Sequence, residues 1–184
     1  MKREEQLYQN FVEDFARVIC QETEGKGYSD IVFLCIGTDR VIGDTFGPLV
    51  GNQLSQAFRC TRRIHVIGTL ANPVNSQNSE RMIQQMQRQY QNPFVIAIDS
   101  ALTAMPCHIG SITVDSGPLC IGRGLRRNHI SVGDMNIKGV VARNCNRSDQ
   151  NFCQLQNTSL QMVMHLADTV AKGIYDTIQL HNCE

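Results

Sequence analysis

The chain has 184 residues, 42% of them hydrophobic, and its 17 Lys plus Arg are balanced by 17 Asp plus Glu. This length and apolar content suit a single α/β-sized domain, 1–184, with a core of its own. A net charge of zero excludes recruitment of nucleic acid or an anionic membrane by a field of one sign.

No apolar run approaches the ~18 residues of a membrane span. The opening Met1-Lys2-Arg3-Glu4-Glu5 leads into an amphipathic pattern and not into a signal-peptide core. The eight cysteines are scattered without a C-x-x-C pair, which argues against a zinc or redox site. A cytoplasmic protein with reduced thiols is expected.

Leu7, Phe11, Phe15, Val18 and Ile19 recur on one helical face, so an N-terminal helix within residues 1–28 is expected to pack on the core. Ile31 to Ile36 is an unbroken apolar run rich in strand formers. A strand buried on both faces reads this way, which predicts a parallel sheet covered by helices. The polar loop from Gly37 carries Asp39 and Asp44, and Pro48 suits the first turn of the helix that follows. Val50, Leu54, Ala57 and Phe58 mark that helix. Ile64 to Ile67 is a second strand, in which His65 reads as a core or edge histidine. A turn-rich loop over Thr69–Asn75 precedes a third helix, capped by Ser76 or Ser79, with Ile83, Met86 and Tyr90 inward.

Phe94 to Ile98 is a third strand, ended by Asp99. Weak alternation over Gly110–Asp115, with Pro118–Ile121 beyond it, predicts a hairpin within 109–121. Gly122 to Gly133 reads as a glycine- and arginine-rich loop, Met135–Ala142 as the last strand and 143–151 as a loop. Val163, Leu166, Ala167, Val170, Ala171 and Ile174 predict a long amphipathic helix with His165 and Asp168 on its surface. Strands alternating with helices imply a three-layer αβα sandwich whose sheet is built on 31–36, 64–67, 94–98 and 135–141.

Two carboxylates follow the two most buried strands. If those strands are neighbours, Asp44 and Asp99 meet at one edge of the sheet. Such a pair shares a proton, since two close carboxylates do not easily both ionise. It can then activate water and protonate a leaving amine. The same pair can instead bind a metal, or Asp44 can cap the following helix while Asp99 bonds loop backbone. Thr38, Asp39 and Arg40 on the loop, and Ser100 after Asp99, are the candidate substrate-binding residues. Two aspartates are too few ligands for a tight metal site, so no obligatory metal or other cofactor is expected. Cys107-His108 is a weak nucleophile–base candidate, because adjacent side chains rarely face each other. P-loop and Gly-x-Ser-x-Gly motifs are absent.

The segments Cys35-Ile36-Gly37-Thr38-Asp39-Arg40, Gly43-Asp44, Phe46-Gly47-Pro48-Leu49-Val50-Gly51 and Ala97-Ile98-Asp99 resemble the YyaC (DUF1256) family of sporulation proteins. Gly68-Thr69-Leu70, Ser116-Gly117-Pro118-Leu119, Val132-Gly133-Asp134 and Leu155-Gln156-Asn157-Thr158 extend the likeness from about Ile31 to Gly173. That family is similar to the germination protease of spore-forming bacteria and, in fold, to the hydrogenase-maturation proteases.

The resemblance implies a phosphorylase/hydrolase-like fold and an aspartate-dependent endopeptidase with Asp44 and Asp99 as the catalytic pair. It implies protein or peptide substrates, small acid-soluble spore proteins among them, in the forespore or spore core. In the hydrogenase-maturation proteases the equivalent acids bind nickel with a histidine, for which His108 is the positional candidate. Ala71-Asn72 and Asn75-Ser76 depart from the acidic and histidine residues of the family pattern. A catalytically inactive protein that binds peptide in the same cleft is therefore the alternative.

Overall fold

The computed structural model describes residues 2–121 and 130–181. Its centre is a five-stranded sheet in the order β2-β1-β3-β7-β4. Strands β1 (Ile31–Cys35), β2 (Ile64–Ile67), β3 (Phe94–Thr103) and β7 (Met135–Arg143) run parallel, and β4 (Ile112–Ser116) closes one edge antiparallel to β7. A separate ribbon pairs β5 (Leu119–Ile121) with β6 (Ile130–Val132). The two unbroken apolar runs became the inner strands because both of their faces are covered: Val32–Cys35 and Phe94–Ile98 are buried throughout.

Helices α1 (Lys2–Thr23), α2 (Phe46–Ala57) and α5 (Leu160–His181) cover one face, where Phe11, Phe15, Phe46 and Leu166 meet Phe33, Ile96 and Ile137. Helix α1 lays its predicted apolar stripe against α5 and β4. Helix α3 (Ser79–Gln89) covers the other face, setting Ile83 and Met86 over Val32, Leu34 and Val95. The fold is therefore α/β, with a mostly parallel sheet flanked by helices. No helix among the described residues is long and apolar enough to cross a membrane.

The structure corrects the sequence reading in three places. The segment 109–121 is not a hairpin. Its first half joins the main sheet through Ile112↔Gly139 to Ser116↔Met135, and its second half pairs with Ile130–Val132. The edge of the nine-residue β7 offers more ladder bonds and apolar cover than the segment offers itself. The segment 143–151 is not all loop, because helix α4 (Ser148–Gln156) begins within it. Only Phe152 and Leu155 are large apolar residues there, and Phe152 is 50% exposed, so no amphipathic period was legible. Strand β3 does not stop at Asp99 but continues to Thr103 beside β7.

Two further expectations are corrected: neither Ser76 nor Ser79 caps the third helix, and Ile130–Val132 are strand and not loop. Helix α3 begins at Ser79, although no side chain caps it; the carboxamide of Asn78 instead binds the Asn75 N–H and the Pro73 carbonyl. His65 lies on the outermost strand, paired with Asp30 at 2.9 Å and stacked on Tyr90 at 4.3 Å. Of the loop expected at Gly122–Gly133, residues 122–129 lie outside the described residues, and Ile130–Val132 are strand β6.

Candidate active site

Strand β1 pairs with β3 only as far as Cys35 opposite Ile98. Past that pair the chain leaves β1 for α2 and β2 on one side, while β3 runs on beside β7 on the other. The sheet thus has its topological switch point between β1 and β3, where α/β folds open a crevice at the carboxyl ends of the strands. Asp44 follows β1 and Asp99 lies on β3 just past the last β1–β3 pair, so both carboxylates reach this crevice.

The Gly37–Gly51 segment exists to hold Asp44 there. Gly37 has φ +145°, and a Cβ on it would stand 2.0 Å from the Asp44 carbonyl oxygen. Only without that atom can the loop fold back so that the Thr38 N–H donates to the same carbonyl at 3.0 Å. Asp44 sits in a 3-10 turn, Ile42–Thr45, that leads directly into α2. Phe46, the first residue of α2, pushes its ring into the notch that Gly139 leaves in β7. Leu155 of α4 closes over Gly43 from the other side.

Gly37→Ala is accordingly expected to cost at least about 2 kcal/mol, combining positive-φ strain with a backbone clash. Gly27, with open space around it, serves as the control. Gly27→Ala should stay within about 0.5 kcal/mol. Urea denaturation of both variants measures the difference, and equal midpoints would contradict this role for Gly37.

Ser100 links the two carboxylates. Its hydroxyl donates to Asp44 Oδ1 at 3.3 Å, and its backbone N–H donates to Asp99 Oδ1 at 2.7 Å. Burial raises the Asp44 carboxyl to about 6, against the pull of the Ser100 hydroxyl and the Thr38 N–H. Burial first, and then the charge of Asp44, push Asp99 well above the ordinary carboxyl range. Both carboxyls are thus shifted toward their protonated forms, and they titrate as a coupled pair. Asp44 does not cap α2: the cap position is Thr45, and no side chain bonds the free N–H groups.

The pair opens into a cavity of about 1360 Å³. Residues Asp99 to Leu102 of β3 and Asn136 and Lys138 of β7 line it. One wall carries Asp115 and Lys138, which pair at 3.0 Å. Asn144 and the start of α4, with the Arg147–Asp149 ion pair, form the rim. Sequence reasoning missed Asn136, Lys138 and this rim. Only the Leu155–Thr158 motif pointed toward α4.

Thr38, Asp39 and Arg40 do not line this cavity. The Thr38 hydroxyl accepts the Arg40 N–H at 3.3 Å, and the Asp39 and Arg40 side chains point into solvent. They shape the loop behind Asp44. Residues 71–76 also lie off the cavity, in a turn pinned to the end of β1 by the Val74–Ile36 bridge. His108 is in an exposed 3-10 turn, Pro106–His108, away from the pair. Among the described residues no three His, Cys, Asp or Glu side chains stand close enough to hold a metal ion. Among the described residues the donor set here is two carboxylates without a third ligand, fewer than a tightly held catalytic metal takes.

A second cavity, about 670 Å³, lies at the opposite end of the sheet between Ile31, Ile64 and Phe94 and contains none of these groups.

Residues 3–173 match the family described as "Protein of unknown function (DUF1256)". Over 144 residues the chain is 42% identical to "Uncharacterized protein YyaC" of Bacillus subtilis (strain 168), a match spanning 78% of this chain and 67% of that protein. Among solved structures it is similar to the [NiFe] hydrogenase maturation protease HycI from Thermococcus kodakarensis KOD1. The TM-score is 0.57 at 14% identity, over 86% of this chain and 98% of that one. The likeness to the maturation protease is one of fold. The family match covers residues 3–173, the Gly37–Gly51 segment and Asp99 among them, and with the identity to YyaC over 78% of the chain it shows that this protein belongs to the DUF1256 family, as a relative of YyaC.

Proposed function

We propose that this protein is an endopeptidase that hydrolyses a peptide bond with Asp44 and Asp99, and that its substrates are small acid-soluble spore proteins, as for the germination protease. The observation that carries this reading is the Ser100-linked pair of half-buried aspartates at the sheet's switch point, poised to share one proton. Ionised Asp44 takes a proton from a water molecule as its oxygen attacks the scissile carbonyl. Asp99 then gives its proton to the leaving amine, and the C–N bond breaks. The Ser100 N–H and hydroxyl keep the two carboxylates in these separate roles. The site of action is the forespore or spore core.

The test is incubation with a purified small acid-soluble spore protein, followed by mass spectrometry of the products. Cleavage by the wild type and not by Asp44→Asn supports the reading. An intact substrate that still binds would favour the alternative, a non-catalytic peptide-binding protein.

The pair also sets the pH dependence. Activity requires Asp44 ionised and Asp99 protonated. kcat/KM is therefore expected to rise with pH through about 6 and to fall again as Asp99 loses its proton. A flat profile between pH 5 and 7, measured on cleavage, would contradict the assigned roles.

A further inference from the structure

Asn136 of β7 is 4% exposed and stands in the wall of the cavity that holds Asp44 and Asp99. Its Nδ2 donates to the carbonyls of Asp115, at 3.4 Å, and Gly117, at 3.0 Å. Those two acceptors fix the orientation of the carboxamide, since a flip would set Oδ1 against both. Oδ1 has no hydrogen-bond partner, and among the described residues it is the one buried side-chain polar atom in that state. Buried carbonyl oxygens are normally satisfied, and an exception in a cleft calls for an explanation.

The neighbours do not supply a donor. The Lys138 ammonium, on the same face, is engaged by Asp115. Asn136 lies in register with Ala97, two residues before Asp99 on the adjacent strand. Residues two apart share a face and stand about 7 Å apart along the strand, which is also the span of two residues of an extended chain. A polypeptide whose scissile carbonyl lies at the aspartates therefore brings a backbone N–H to the position of Asn136.

We propose that Asn136 is a substrate-binding residue whose Oδ1 accepts a backbone N–H of an extended polypeptide lying across the cleft. The placement of the scissile bond rests on the peptidase reading; the binding of a peptide N–H does not. Oδ1 has no exposed surface in the free protein, so peptide binding must uncover it, and the incoming N–H then displaces no ordered water.

The experiment is an NMR titration of ¹³C,¹⁵N-labelled protein with acetyl-tetraalanine amide and with its fully N-methylated counterpart. The plain peptide is expected to shift the Asn136 side-chain carbonyl resonance, and the N-methylated one to leave it unmoved. Asn136→Ser should weaken the plain peptide by roughly tenfold, equivalent to about 1.4 kcal/mol, and leave the methylated one unchanged. The wild-type comparison stands even if that variant folds poorly. Equal shifts from both peptides, or an unmoved Asn136 while other cavity residues respond, would overturn the proposal. So would the absence of binding by either peptide, and cleavage of the spore protein would then decide the peptidase reading separately.

Discussion

Asp44→Asn and Asp99→Asn are each expected to lower cleavage by about 10²–10⁴-fold, the range of a lost general base or acid, while making the protein more stable at pH 8. The second effect follows from the first residue's surroundings. Both carboxyls hold their protons more tightly in the fold than in the unfolded chain. Folding thus takes up protons above pH 3.8, the ordinary carboxyl value. The stability they contribute is fully present below that pH and is lost as pH rises through about 6 for Asp44, and higher for Asp99.

Asp44→Asn removes a charge that burial penalises, and Asp99→Asn one that burial and Asp44 both penalise. For Asp44→Asn the gain at pH 8 should be roughly 1–3 kcal/mol, at 1.36 kcal/mol for each unit of displaced pKa. In a chain of this size that is about 2–4 °C in Tm per kcal/mol. Thermal melts at pH 4.5 and pH 8 provide the check. A variant that loses activity and is also destabilised at pH 8 would mean that these aspartates serve the fold and not the chemistry. Such a trade of stability against a charged site is common where catalysis needs a destabilised group.

Phe46→Ala is expected to cost about 3–5 kcal/mol, as for other fully buried aromatics, out of a total stability of about 5–15 kcal/mol. Phe46 is 0% exposed, and its ring fills the notch at Gly139 on the helix-covered face of the sheet. It also directly follows the turn that carries Asp44. The variant should therefore lose cleavage beyond its loss of folded protein, because the turn loses its anchor. Phe46→Leu, which keeps most of the volume, should recover much of both. Chemical denaturation and specific activity per folded molecule separate the two effects. Full activity in Phe46→Ala would show that Asp44 is held by the loop alone.

What could be read without the fold was whatever local pattern dictates. The runs Ile31–Ile36 and Phe94–Ile98 had to be buried strands, since no other short element hides so many contiguous apolar side chains. The stripes of α1 and α5 had to be helical faces. The two aspartates were legible as candidates because each stands where such a strand gives out.

The remaining features depend on contacts between distant segments. The partner of Ile112–Ser116 was decided by the open edge of β7, some twenty residues further along. Helix α4 forms with almost no apolar period of its own because Leu155 has Gly43 to pack against. Strand β3 outruns Asp99 because β7 continues to bond it after β1 has turned away.

The sequence by itself determined the α/β class, the parallel core and the identity of Asp44 and Asp99, for these follow from hydrophobic period and strand ends. Only the tertiary structure decided that the pair meets over Ser100, that Thr38, Asp39 and Arg40 stand outside the cavity, and that Asn136 and Lys138 stand inside it. Those outcomes turn on strand order and on how the loop after β1 folds back, and a one-residue change of register in β7 would send Asn136 and Lys138 to the opposite face of the sheet.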